Sequence, residues 1–333
     1  MLLLLQNIFN LLRFGKNLLA ALSFHYSISV RKNCNYLFET ARNLNDGSVP
    51  DRVFRKMKWY MISNSFMGKL LSCLLGEKIS RQKAEGIVVM GALMGLTDCL
   101  IDDYDYDAAS LRSLFAMGYK PKNAVERIFI LFYEHFIKSL DAQQKEEGLS
   151  ITGRVADIQA ESQKQRKAGL SKEEVYTLTY NKGGISVVLC AMMFKKYKNA
   201  HSQALSATGG FIQFMNDAQD IYKDASGGIT TFTAFQNTFS NLVAELDTIR
   251  TSCSAEVLKM EGISPSQKSF FVFSLYVLYC GIKFKLKSYS RRTTDFYTLD
   301  GIMASDKKIF KVNHLSFKAF AQITFMALQF RQR

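Results

Sequence analysis

The chain has 333 residues, of which 48% are apolar and 22% charged, enough for one large domain or two ordinary ones and too apolar for a disordered chain. Its 43 Lys and Arg outnumber its 29 Asp and Glu by 14, which points to an anionic partner: a phosphorylated small molecule, a membrane surface or a nucleic acid. It has only three prolines, Pro50, Pro121 and Pro265, which favours long unbroken helices. No uninterrupted apolar run reaches the roughly 18 residues of a membrane span, which excludes a polytopic membrane protein.

In chain order, residues 1–33 read as an amphipathic helix and linker. Leu5, Ile8, Phe9, Leu12 and Leu19 fall on one side of the helix. The charges follow the apolar start instead of preceding it, the reverse of a signal peptide. The apolar side is expected to pack on the domain, with a membrane surface as the alternative. Periodicity then predicts helices over about 52–75, 80–103, 121–142 (with Pro121 in its first turn), 150–168, 171–197, 201–224, 232–258, 265–290 and 306–330. Loop signals lie at Asn45-Asp46-Gly47, Lys120-Pro121, Gly169, Gly227-Gly228 and Gly262. No long linker, internal repeat or low-complexity tract appears, so residues 34–333 are expected to form one all-α domain.

The six cysteines are scattered without a C-x-x-C pair, which fits a reduced cytoplasm. The four histidines, His25, His135, His201 and His314, are dispersed, so no zinc site is expected. From Gly281 onward eleven Lys and Arg face three Asp, an ordinary solvated basic face, and no nucleic-acid motif accompanies it.

Three segments carry candidate chemistry. In Leu96-Thr97-Asp98-Cys99-Leu100-Ile101-Asp102-Asp103 the first and last turns bring Asp98 and Asp102 about 6 Å apart along one helix face. Both lie near a helix C-terminus, where the macrodipole disfavours negative charge and a divalent cation reverses the balance. The plain alternative is a helix end running into an acidic loop. The loop Asp103-Tyr104-Asp105-Tyr106-Asp107 lacks the glycine and the terminal glutamate of an EF-hand. The second segment, Gly209 to Asp224, spaces Asn216, Asp220 and Asp224 by four, with Asp217 beside them. This gives a polar stripe about 12 Å long, and its oxygen donors suit a hard cation such as Mg²⁺. An ordinary exposed face would carry better helix formers than Asn and Asp. The third is Lys182-Gly183-Gly184. The glycines either break the helix at a phosphate-binding lysine or let two helices pack closely. Together, acidic faces holding Mg²⁺ between them, a lysine and apolar surroundings would turn an allylic diphosphate into a leaving group and keep water from the cation formed.

On these residues the sequence resembles the class I isoprenoid synthase superfamily: terpene synthases, trans-prenyl diphosphate synthases and squalene/phytoene synthases. Asp98-x-x-x-Asp102 is similar to the ends of its D-D-x-x-D motif, with Cys99 at the second aspartate. Asn216-Asp217-x-x-Asp220-x-x-x-Asp224 resembles the N-D-x-x-S-x-x-x-E motif, and Lys182-Gly183-Gly184 the diphosphate lysine at a helix break. No G-G-K-R lies near the N-terminus and no Arg-Arg follows the first acidic motif, which favours a one-substrate reaction. Lys283, Lys285, Lys287, Arg291 and Arg292, with Tyr289, are a loose substitute for the family's downstream Arg-Tyr pair.

The resemblance implies an all-α bundle around a central apolar cavity and three Mg²⁺ ions. Asp98, Asp102 and Asp103 would hold two of them, and Asn216, Asp217, Asp220 and Asp224 the third. Lys182 and Lys223 would meet an isoprenyl diphosphate. Gly91, Met94, Gly95, Gly209 and Ile212 would line the pocket. The expected activity is that of a terpene synthase, with a prenyltransferase joining two isoprenyl units as the alternative. A non-catalytic isoprenoid-binding protein at a membrane is a third reading. The expected location is cytoplasmic with peripheral membrane contact, and oligomeric state stays open, a homodimer being one option.

Overall fold

The computed structural model describes residues 2–22, 28–116, 118–167, 169–292, 301–302, 305, 307–312 and 316–331. His25, His314 and the expected helix start at Asp306 lie outside them. All regular elements among the described residues are helical, as the all-α expectation requires. They run α1 Leu2–Leu22, α2 Ile28–Asn43, α3 Asp51–Leu75, α4 Arg81–Tyr104, α5 Ala108–Leu114, α6 Ala124–Ser139, α7 Ala142–Ser162, α8 Lys172–Ala191, α9 Ser202–Gln219, α10 Ile221–Ser226, α11 Phe239–Lys259, α12 Pro265–Ser290 and α13 Phe317–Leu328. The chain divides into two compact units, one of residues 15–161 and 185–199, the other of 1–14, 162–184 and 200–333.

In the first unit α4 is the core helix, with α2, α3 and α6 packed around it. Ile87, Val88, Val89 and Met90 are consecutive and all buried, so every face of α4 is covered. The Ser80 side chain caps its start by accepting from the Lys83 backbone N–H. α4 is apolar and long enough to cross a membrane, as α12 is, but 89% of its apolar window is buried inside the fold, as a core helix requires. The sequence reading missed α2, although Val30, Cys34, Leu37 and Ala41 supply its buried stripe at helical spacing. α6 begins three residues later than expected. Asn123 accepts from the Glu126 N–H and caps it, so Pro121 stays outside.

In the second unit α11 packs on α9 and α12, and α12 on α13. Ser264 and Gln267 form a reciprocal capping box, with Pro265 in the first turn of α12. Tyr176, Phe214 and Phe232 cluster with ring centroids 4.9–6.0 Å apart, Phe232 standing edge to face with the other two. α11 starts at Phe239, after the Thr238 cap, while Phe232–Phe235 forms a separate 3₁₀ turn.

One expectation is overturned. α1 does not pack through its leucines. Leu5, Ile8, Phe9, Leu12 and Leu19 are exposed, whereas Asn7, Asn10, Phe14 and Ala21 are buried. Of the two readings of Lys182-Gly183-Gly184, close packing holds, because α8 runs unbroken through it. A Cβ on Gly183 would run into the Gly209 carbonyl, and one on Gly209 into the Gly183 carbonyl, so the glycines serve close approach of α8 and α9.

Gly183→Ala should therefore lower unfolding stability by roughly 1–3 kcal/mol, because backbone rather than a flexible side chain must move. Gly281→Ala, also in a helix but with open space at its Cβ, should raise stability by roughly 0.5–1 kcal/mol. Urea midpoints of the two variants check the contrast.

Candidate functional site

In the first unit the α3–α4 hairpin builds a charged ladder. Gly91 and Gly95 face α3: a Cβ on Gly91 would lie 2.5 Å from the Tyr60 carbonyl oxygen, and one on Gly95 3.2 Å from Met57 Cα. They let the helices close up, which corrects the sequence expectation that they line a pocket. Arg52, Lys56 and Tyr60 step by four along α3 and meet Asp98, Asp102 and Asp103 on α4. The Tyr60 hydroxyl donates to Asp98 Oδ2. Lys56 Nζ lies 3.6 Å from Asp98 Oδ2 and 3.7 Å from Asp102 Oδ2, bridging the two carboxylates. Arg52 pairs with Asp103 at 2.8 Å. Burial works against the Lys56 charge, but Asp98 and then Cys99, Asp102 and Asp103 outweigh it and hold its pKa above the usual lysine range. Cys99 is buried, and burial first of all pushes its thiol up to about 12, so it offers no thiolate in place of the missing aspartate.

In the second unit the Gly183–Gly209 contact sets α8 against α9 and brings Thr179 and Lys182 to Asp217. Asp217 is buried. It accepts from Gln213 Nε2 at 2.8 Å and from Thr179 Oγ1 at 3.3 Å. Burial raises its pKa to about 7 against the opposing charge of Lys182, with Asp220 adding to the rise. α9 ends at Gln219 and the chain bends at Asp220 before α10. Asp224 is buried in α10 and rises to about 7 through burial first, then the charges of Asp217 and Asp220, with Lys223 and Lys182 opposing. Asp220 pairs with the exposed Lys223 at 3.2 Å. The stripe predicted from spacing is thus rearranged: Asn216 is exposed, and Asp217 takes the inner place beside Asp220 and Asp224.

Of the downstream cations, Lys285 Nζ donates to the Gln219 carbonyl at 2.9 Å, at the C-terminal end of α9. Its pKa falls to about 8 through burial, opposed by Asp220. Tyr289 donates to the Phe310 carbonyl, and Arg292 to Ile309 and Lys311. α8, α9 and α11 leave an apolar hollow of about 440 Å³, lined by Tyr176, Tyr180, Ala207, Phe214, Ile249 and Cys253.

Among the described residues no three His, Cys, Asp or Glu side chains converge as a ready metal cage. Mg²⁺ seldom needs one, because it keeps waters and takes one or two carboxylates together with substrate phosphates. The Asp217–Asp220–Asp224 set fits that demand: hard oxygen donors whose burial and mutual repulsion a divalent cation relieves. At Asp98, Asp102 and Asp103 the same role is filled by Lys56, Arg52 and Tyr60. The sequence reading missed these three; their spacing by four on the helix before the acidic motif was the available signal.

No protein-family model matches the chain, and no curated protein does. Among solved structures it is similar to a geranylgeranyl pyrophosphate synthetase from the archaeon Geoglobus acetivorans, with 16% identity and a TM-score of 0.45 over 75% of this chain and 97% of that one. It is also similar to a geranyltransferase from Legionella pneumophila, with 16% identity and a TM-score of 0.44 over 76% and 98%.

Lys56→Met should cost roughly 1–3 kcal/mol, since it leaves Asp98 buried beside a like charge, and Asp98→Asn in that background should recover part of the loss. Urea unfolding of the two single variants and the double variant measures the coupling.

Asp217 and Asp224 hold their protons near pH 7 when folded, whereas the unfolded chain loses them near 3.8. They therefore cost stability as pH rises from about 4 through 7. Asp224→Asn should raise the melting temperature at pH 8 without metal and flatten the pH profile. Melting curves of the two chains between pH 4 and pH 8 check this.

Proposed function

We propose that this chain is an Mg²⁺-dependent enzyme that ionises a linear isoprenyl diphosphate and releases diphosphate. The observation that carries the reading is the pair of buried carboxyls Asp217 and Asp224, with the part-exposed Asp220 between them in the chain and Lys182 acting on both, in the same unit as the apolar hollow. In this reading Asn216, Asp217, Asp220 and Asp224 would hold Mg²⁺, and Asp98, Asp102 and Asp103 would do so only where the ion displaces Lys56 and Arg52 from them. Lys182 and Lys223 meet the diphosphate. When bound, the metal draws negative charge off the diphosphate and makes it a leaving group. Lys182 adds fixed positive charge on a helix whose position the Gly183–Gly209 contact sets, so little reorganisation is needed as charge develops. The hollow's Phe214, Ile249 and Ala207 hold an apolar chain and exclude water from a carbocation.

Two fates follow ionisation. Cyclisation or elimination is the reading that the absent G-G-K-R and Arg-Arg favour. Transfer to a second isoprenyl unit is the other, in keeping with the name geranyltransferase. The scattered cysteines, six of them free, fit a reduced, cytoplasmic setting. A second reading, isoprenoid binding without turnover, is favoured by the Lys56 bridge across Asp98 and Asp102 and by Cys99 between them.

Incubation with geranyl, farnesyl and geranylgeranyl diphosphates and Mg²⁺ tests the proposal, with released diphosphate and product mass as readouts. Turnover is expected, lost with EDTA and reduced roughly a hundredfold or more in Asp224→Asn. A product longer than its substrate identifies coupling. A folded chain that Mg²⁺ and pyrophosphate stabilise, but that turns over none of the three, sinks the enzyme in favour of the binding protein.

A further inference from the structure

α1 is turned inside out. Its asparagines face the protein: Asn7 Nδ2 donates to the Leu328 carbonyl at 3.1 Å and the Phe330 carbonyl at 2.9 Å, and Asn10 and Phe14 are buried with it. Its large apolar side chains face outward, with Leu2 83%, Phe9 66% and Leu12 69% exposed, and Leu3, Leu4, Leu5 and Ile8 alongside. On α13, whose C-terminal end Asn7 meets, Phe320 and Phe325 are also exposed, at 66% and 64%. A helix that uses its amides for anchoring and leaves its leucines in water gains nothing from those leucines in the isolated chain.

We infer that the outer face of α1 is a docking surface for an anionic membrane, on which α1 lies in the plane of the headgroups. Charge chooses this occupant. Neither α1 nor α13 contains Asp or Glu, while α1 carries Arg13 and Lys16, and Arg331 follows α13 exposed. A second copy brings the same excess of 14 positive charges and is repelled, whereas an anionic lipid surface is attracted. Arg13 lies over the Phe270 ring, 4.0 Å from its centroid, at the inner end of the apolar face. Four Asn and Gln side chains interrupt the apolar sequence of α1, and it is not one of the helices apolar enough to span a bilayer, so it rests on the surface. The inference stands apart from the isoprenoid reading.

The full chain is to be sedimented with phosphatidylcholine vesicles, with and without phosphatidylserine. Binding to the anionic vesicles is expected, weaker with phosphatidylcholine alone and weakened by salt. Phe9→Glu with Leu12→Glu should reduce the partition at least about tenfold with unchanged circular dichroism, because both side chains are already exposed. In a Trp59→Phe background, Phe9→Trp places the sole tryptophan on the face. Its emission should shift to the blue on anionic vesicles and be quenched by brominated lipid. No sedimentation with either vesicle overturns the inference, and so does sedimentation that the double variant leaves intact. A concentration-dependent dimer, without vesicle binding and abolished by the same variant, overturns it in favour of a second copy.

Discussion

Close approach of helix backbones where a Cβ is missing is the constraint on which the rest depends. Short carboxylates reach only a few ångströms from their helix, so a polar cluster between helices requires backbones nearer than ordinary packing allows. Gly91 and Gly95 give α3 and α4 that separation, and Asp98 then lies within reach of Tyr60 and Lys56. Gly183 and Gly209 do the same for α8 and α9, and Asp217 meets Thr179 and Gln213. In each unit the glycines lie within about two helical turns of the acids they position.

The two acidic segments share a spacing but settle their charge in different ways. At Asp98 and Asp102 repulsion is answered by a resident ammonium and a phenol, and Arg52 takes Asp103. At Asp217 and Asp224 desolvation dominates, so the carboxyls hold protons near neutral pH despite Lys182. The first arrangement is already compensated by protein groups. The second keeps a cost that an added cation removes. The second segment therefore has the greater electrostatic reason to take up a cation.

α1 shows the limit of periodicity. Leucines at helical spacing prove that the helix has two unlike faces, but the pattern is the same whichever face turns inward. Asn7 decides the matter by meeting two carbonyls at the C-terminal end of α13, those of Leu328 and Phe330, over three hundred residues away in the chain. An amide with two good acceptors outweighs leucines that find no partner on the unit they would cover.

The sequence by itself determined the helical class, the core helices that begin near Arg81 and at Pro265, and the acidic residues worth attention, because these follow from local propensity, caps and spacing along one element. It carried a readable stripe for α2, and a ladder of Arg52, Lys56 and Tyr60, that went unrecognised. Tertiary structure alone decided that Lys56 bridges Asp98 and Asp102, that Asp217 is buried while Asn216 is exposed, that Gly183 and Gly184 serve contact instead of breaking a helix, and that the leucines of α1 face out. Each of these depends on which residue from a distant stretch arrives opposite. Spacing within one helix says which side chains share a face, and only packing says what that face meets.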